Sequence, residues 1–179
     1  MKNYDINMEF LGVTRKKPEV GDIFAFKNKY LGWVYGRVFK IGGPMSRTED
    51  FLVYIYNHFT EELEKDPKLD KNDLAIDPIF INRRGWLDGY FKTILKRAVR
   101  SDDVLPQHCF VEVPIRGEYE YVDEFGRRIQ RRVEPCGAYG LTNHKFVDEL
   151  ISEKYKLPFA KLSPEDGERP TKIKWWFLK

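Results

Sequence analysis

Three histidines, His58, His108 and His144, and two cysteines, Cys109 and Cys136, are the side chains of this chain best suited to proton transfer, nucleophilic attack or metal binding. Each of those chemistries requires the groups to meet, and their spacing gives no support for it. None of the histidines stands in an HExxH or comparable ligand pattern, and the cysteines lack CxxC spacing. His108 and Cys109 adjoin, but neighbours on a strand point to opposite faces, which argues against a Cys/His pair. Gly42-Gly43-Pro44 has neither the lysine nor the hydroxyl of a phosphate loop, and nothing like a phosphate-binding fingerprint follows Gly85 or Gly89. The expectation is a protein with no catalytic residues, no metal and no cofactor, its two thiols reduced and partly buried.

Charge is more informative. The chain has 179 residues and a net charge of +3, too small a bias to argue for a nucleic-acid or membrane partner. Locally the charges segregate. Residues 61–77 hold seven acids (Glu61, Glu62, Glu64, Asp66, Asp70, Asp73, Asp77) against three lysines, and are read as an acidic loop or short helix. Residues 83–100 hold six basic groups (Arg83, Arg84, Lys92, Lys96, Arg97, Arg100) against the single Asp88. The two blocks either neutralise one another as a solvated face or turn one block toward a partner. A second candidate contact patch is Trp33, Tyr35 and Arg37, which share one strand face and are residue types favoured in protein interfaces.

The elements that must position these groups are mostly strands. Pro18 and Gly21 punctuate the entry to a hairpin whose arms are 23–26 and 33–40, the second interrupted by Gly36, which marks a bulge, a bend at a barrel corner or the close approach of another backbone. The continuous apolar run 51–56 reads as a strand buried on both faces. Further strands are expected at 76–81, with Pro78 indicating an edge, at 90–99, at 110–114, and at 119–122 and 129–133 around a Gly126 turn. One amphipathic helix is expected at 143–155, capped by Thr142 or Asn143 and carrying Phe146, Val147, Leu150 and Ile151 on one stripe. A last strand is expected at 172–177, where Trp175 and Trp176 cannot face the same side. The predicted fold is mostly β (α+β): a curved antiparallel sheet or partly open barrel with one C-terminal amphipathic helix packed on it. It is expected as a single domain over 1–179, with a β core at 15–136 and a helix-plus-strand extension at 137–179.

The run Val20-Gly21-Asp22-Ile23-Phe24-Ala25-Phe26, followed by Trp33-Val34-Tyr35-Gly36-Arg37-Val38 and the strand 51–56, resembles the opening of the bacterial immunity-protein family numbered 26, over roughly residues 15–120. That family belongs to polymorphic toxin systems. The resemblance implies a mostly β, non-enzymatic inhibitor that binds the C-terminal domain of a cognate toxin and protects the cell that makes it, as in contact-dependent inhibition. Immunity proteins against basic nucleases tend to be acidic; this chain departs from that pattern, so only the 61–77 block could mimic nucleic acid if the toxin is a nuclease. The rival expectation is a small nucleic-acid-binding β-barrel, using the basic block with Trp86, Tyr90 and Phe91 as stacking platforms. No apolar h-region opens the chain and no run nears the roughly 20 apolar residues of a membrane span, so a cytoplasmic location without a membrane partner is expected.

Overall fold

The structure, a computed structural model, describes residues 6–46, 48–112 and 119–158. The expected strand 172–177, with Trp175 and Trp176, lies outside the described residues. The opening hairpin forms as its residue types and punctuation predict: β1 (Asp22–Asn28) pairs antiparallel with β2 (Gly32–Ile41), and β2 continues into β3 (Phe51–Thr60) and β4 (Leu74–Ile81). β5 (Lys92–Lys96) joins on the far side of β1, and the two-residue β9 (Leu141–Thr142) pairs parallel with the end of β4. The sheet order is β5-β1-β2-β3-β4-β9, an open sheet that does not close into a barrel. A second sheet has β6 (Cys109–Glu112) between β7 (Glu120–Val122) and β8 (Cys136–Ala138).

β3 explains its own sequence. Phe51, Val53 and Ile55 face a core that includes Phe24, Trp86 and, from the C-terminal helix α2 (His144–Lys154), Val147 and Ile151. Leu52 packs with Phe80 and Phe110, and Tyr54 and Tyr56 with Phe39 and Leu105, on the opposite side. A strand covered on both faces can be apolar at every position, so no alternation is visible in the run. α2 begins where expected: the Asn143 side chain accepts a hydrogen bond from the Lys145 N–H at 2.9 Å, the usual cap of a first helical turn.

Gly36 lies opposite Phe24 in the β1–β2 register, and a methyl group on it would overlap the Phe24 ring, which itself packs 4.9 Å from both Trp86 and Phe91. Gly36 therefore serves an aromatic contact as well as the register shift beside it in β2–β3. Gly36→Ala is expected to cost about 1–3 kcal/mol by overpacking, read by urea denaturation.

Two expectations need correction. The strand over 90–99 shrinks to β5, because Tyr90 and Phe91 donate their backbone N–H groups to the Gly85 carbonyl at the end of a single helical turn, α1 (Arg84–Leu87). Residues 129–133 form no strand: beyond an isolated Val122–Arg128 bridge and the Ile129 N–H to Tyr121 carbonyl bond, the chain leaves β7. The Asp123 carboxylate binds the N–H groups of Phe125 and Arg127, tightening the turn, and the charged residues that follow have little apolar surface to bury against a sheet. β8 takes the place beside β6 instead, parallel to it.

Candidate functional site

The acidic connection between β3 and β4 is a loop anchored by a buried tyrosine. The Tyr35 hydroxyl lies 2.7 Å from Thr60 Oγ1 and accepts the Glu64 backbone N–H at 2.8 Å, while Thr60 Oγ1 donates to the Glu62 carbonyl at 2.6 Å. His58 packs on the Tyr35 ring and holds the Glu64 carboxylate at 3.0 Å. Further along, Asp70 accepts the Asn72 N–H at 2.9 Å, and Asn57 grips Asp73 through both backbone and side chain. Asp66 pairs with Arg97. The loop is thus tied down at both ends by its own polar groups, and several of its acids are already used. Glu61 and Glu62 are different. Both are exposed, and among the described residues neither carboxylate has an ion-pair or hydrogen-bond partner.

The basic stretch is mostly paired away from that loop. Arg83 meets Glu49 at 3.2 Å, Arg84 meets Asp88 at 3.0 Å, and Lys96 meets Glu19; Arg97–Asp66 is the one ion pair joining the two charged blocks among the described residues. Trp86 and Phe91 are fully buried, with the Trp86 indole N–H donating to Thr93 Oγ1 at 3.1 Å, so neither can stack on a base. The second patch also differs from expectation. Trp33 is half-buried, while Tyr35 and Arg37 are buried, Tyr35 as the anchor just described and Arg37 as a clamp on residues 97–103, so these two do not present their side chains at the surface.

Asp77 stands apart from the other six acids. It sits within β4, not in the connection, and lines a groove of about 980 Å³ along that strand's outer edge. Phe146 and Leu150 of α2 form one wall, and Glu134, Pro135 and Ala138 another. Burial, reinforced by the Glu134 carboxylate, pushes the Asp77 carboxyl up to about 6 against the pull of Arg132 and Lys154. Asp77 is thus a half-buried carboxyl in a concave surface, held away from its ordinary range by its surroundings.

A model of the family described as Immunity protein 26 matches residues 19–121, more than half of the chain. The chain belongs to the immunity protein 26 family. No curated protein and no solved structure matches it. The matched span of this immunity protein runs from just before β1 into β7, and so contains the acidic loop and the whole of β4. The remaining walls of the groove, from β8 and α2, lie beyond it.

Sequence reasoning missed one further polar arrangement in this immunity protein. His108 Nδ1 meets the Glu124 carboxylate at 3.1 Å, which can only accept and so fixes the ring proton there, leaving Nε2 to accept the Tyr54 hydroxyl at 2.5 Å; the Leu105 N–H donates to the tyrosine oxygen at 3.2 Å. Burial lowers the His108 pKa and raises that of Tyr54 to about 12, so the chain rests as a neutral tyrosine and a neutral imidazole. Its histidine and tyrosine are both buried, and it joins β3 to the second sheet. Its members lie far apart in sequence, and no motif joins them. Cys109 and Cys136 are free, buried and in register on β6 and β8, with burial raising the Cys136 thiol above its usual range. Among the described residues no group of three or more His, Cys, Asp and Glu is placed to hold a metal ion, and no helix is long and apolar enough to cross a membrane.

Proposed function

We propose that this immunity protein neutralises a cognate bacterial toxin domain by binding it directly, and that the acidic loop at residues 61–73 forms part of the contact. The observation that carries this reading is the pair Glu61 and Glu62, two exposed carboxylates without a partner on a loop held by buried Tyr35. A loop fixed in advance loses little conformational entropy on binding, and unpaired acids on it attract a cationic surface. A nuclease, whose substrate groove is cationic, is one toxin class that such a surface fits. The basic stretch offers less, since three of its four arginines are ion-paired and two of its three aromatic rings are buried.

Glu61→Lys with Glu62→Lys is the clean test, because neither side chain supports the fold. Charge at the rim acts mainly on the association rate, so the double variant is expected to associate with the toxin domain about tenfold more slowly at low salt, with unfolding unchanged and the difference shrinking as salt rises. Surface plasmon resonance against the toxin domain reads this. Reversal of exposed Lys92 is the control and should have a much smaller effect. Association of the double variant at the wild-type rate would remove the loop from the interface.

A further inference from the structure

β4 has a partner on both sides only at its end. Phe80 and Ile81 pair with β9, whereas over residues 74–79 the strand has β3 on one side and the groove on the other. An open strand edge invites pairing, and this one is guarded at two points. The Lys154 ammonium caps the Leu74 carbonyl at 2.9 Å, and Pro78 offers no N–H while Gly137 crowds its carbonyl oxygen. The free stretch between them is Ala75, Ile76 and Asp77, enough for a short ladder and too short to fix a partner by main-chain bonds alone.

The specific feature of that stretch is Asp77. Among the described residues its carboxylate accepts no hydrogen bond and has no ion pair, although the side chain is half-buried. Its charged neighbours are otherwise committed. Glu134 receives Arg132 at 2.5 Å and the Cys136 N–H at 3.1 Å, Lys154 holds the Leu74 carbonyl, and Lys71 donates to the Val104 carbonyl at 2.9 Å. Glu153, on the wall above, is exposed. A partly buried, unpaired carboxylate on the floor of a groove with apolar walls at Phe146, Leu150 and Leu105 complements one kind of ligand: a cationic head on a chain whose neighbours are apolar.

We infer that the β4 groove receives an extended segment of the cognate toxin, laid along residues 75–77, with a lysine or arginine of that segment paired to Asp77. This rests on the reading of the chain as a direct toxin binder and adds the mode of recognition. The acidic loop would govern encounter, and Asp77 would select which segment is held.

The test needs no toxin. The full chain, labelled with nitrogen-15, is titrated with the peptide N-acetyl-Val-Arg-Val-amide and with its glutamate counterpart. The arginine peptide is expected to shift the amide signals of residues 75–77 saturably, at least fivefold more tightly than the glutamate peptide. Asp77→Asn should abolish that preference with the rest of the spectrum unchanged, and Asp77→Glu should retain it. The preference should also shrink several-fold from pH 7.5 to pH 5 as Asp77 takes up a proton, and this pH dependence should be missing in Asp77→Asn, which keeps the other charged groups around the groove, Glu134, Glu153, Arg132, Lys154 and Lys71. Equal response to the two peptides, or a preference that survives in Asp77→Asn, would overturn the inference. Either result would leave the acidic-loop reading to its own kinetic test.

Discussion

Arg37→Ala is expected to lower the unfolding free energy by about 3–5 kcal/mol, the scale seen when one member of a buried ion pair is removed. The Arg37 side chain is 3% exposed, and its guanidinium reaches Asp103 at 3.1 Å and the carbonyls of Arg97 and Ala98 at 3.1 and 3.0 Å. It therefore fixes the chain leaving β5 against the centre of β2. Truncation leaves two carbonyls without that donor, opens space beside Phe39, over whose ring the guanidinium sits at 5.4 Å, and deprives Asp103 of its partner. Arg37→Met separates packing from charge, since it keeps the apolar stem and should recover a good part of the loss. Urea denaturation followed by circular dichroism measures both; a loss below about 1 kcal/mol in Arg37→Ala would show that water replaces the clamp at little cost.

Arg37 also illustrates what could and could not be read in the sequence. Its position on β2 was legible, because the hairpin is encoded locally by residue type and turn chemistry. Its burial was not, since the acceptors at residues 97, 98 and 103 are some sixty positions away and follow an edge strand of low apolar content. The same division holds elsewhere. The run 51–56 and the stripe Val147–Ile151 announce themselves within one window, whereas β8 and β9, at three and two residues, are too short to carry a period and exist only because β6 and β4 offer an edge. In the candidate site, the acidity of residues 61–77 was plain. Composition cannot distinguish Asp66, Asp70 and Asp73, which hold the loop together, from Glu61 and Glu62, which do not. Asp77 falls within the expected strand 76–81, with Pro78 marking an edge, but nothing local shows that its carboxylate faces a groove walled by residues 134–150.

Between pH 7 and pH 4.5, His144→Gln is expected to flatten the loss of stability on acidification, and Asp77→Asn to steepen it. His144 opens α2 beneath Tyr90, whose ring it stacks on at 4.9 Å, and its Nδ1 atom has no partner among the described residues. Burial lowers its pKa from 6.5 to about 4, with Asp88 opposing at 3.9 Å and Lys145 and Arg84 adding to the fall. In the unfolded chain the same imidazole takes a proton near its ordinary value, so the folded state binds fewer protons over that window. The associated stability is present in full above pH 6.5 and drains away as the pH falls toward 4, amounting to roughly 3 kcal/mol. Asp77 acts in the opposite sense. Its folded pKa, up to about 6, lies above the unfolded 3.8, so the folded state binds the extra proton and gains stability as the pH drops through 6. The effect is smaller because Asp77 keeps part of its solvent contact. The two groups thus partly cancel in the wild type, and removing either exposes the slope of the other. Unfolding free energies measured at half-unit steps of pH give the comparison. Glutamine cannot reproduce the stack on Tyr90, so the absolute stability of His144→Gln will shift, and the slope is the quantity that decides. Parallel curves for wild type and His144→Gln would mean that the imidazole reaches solvent and takes up its proton in the folded state.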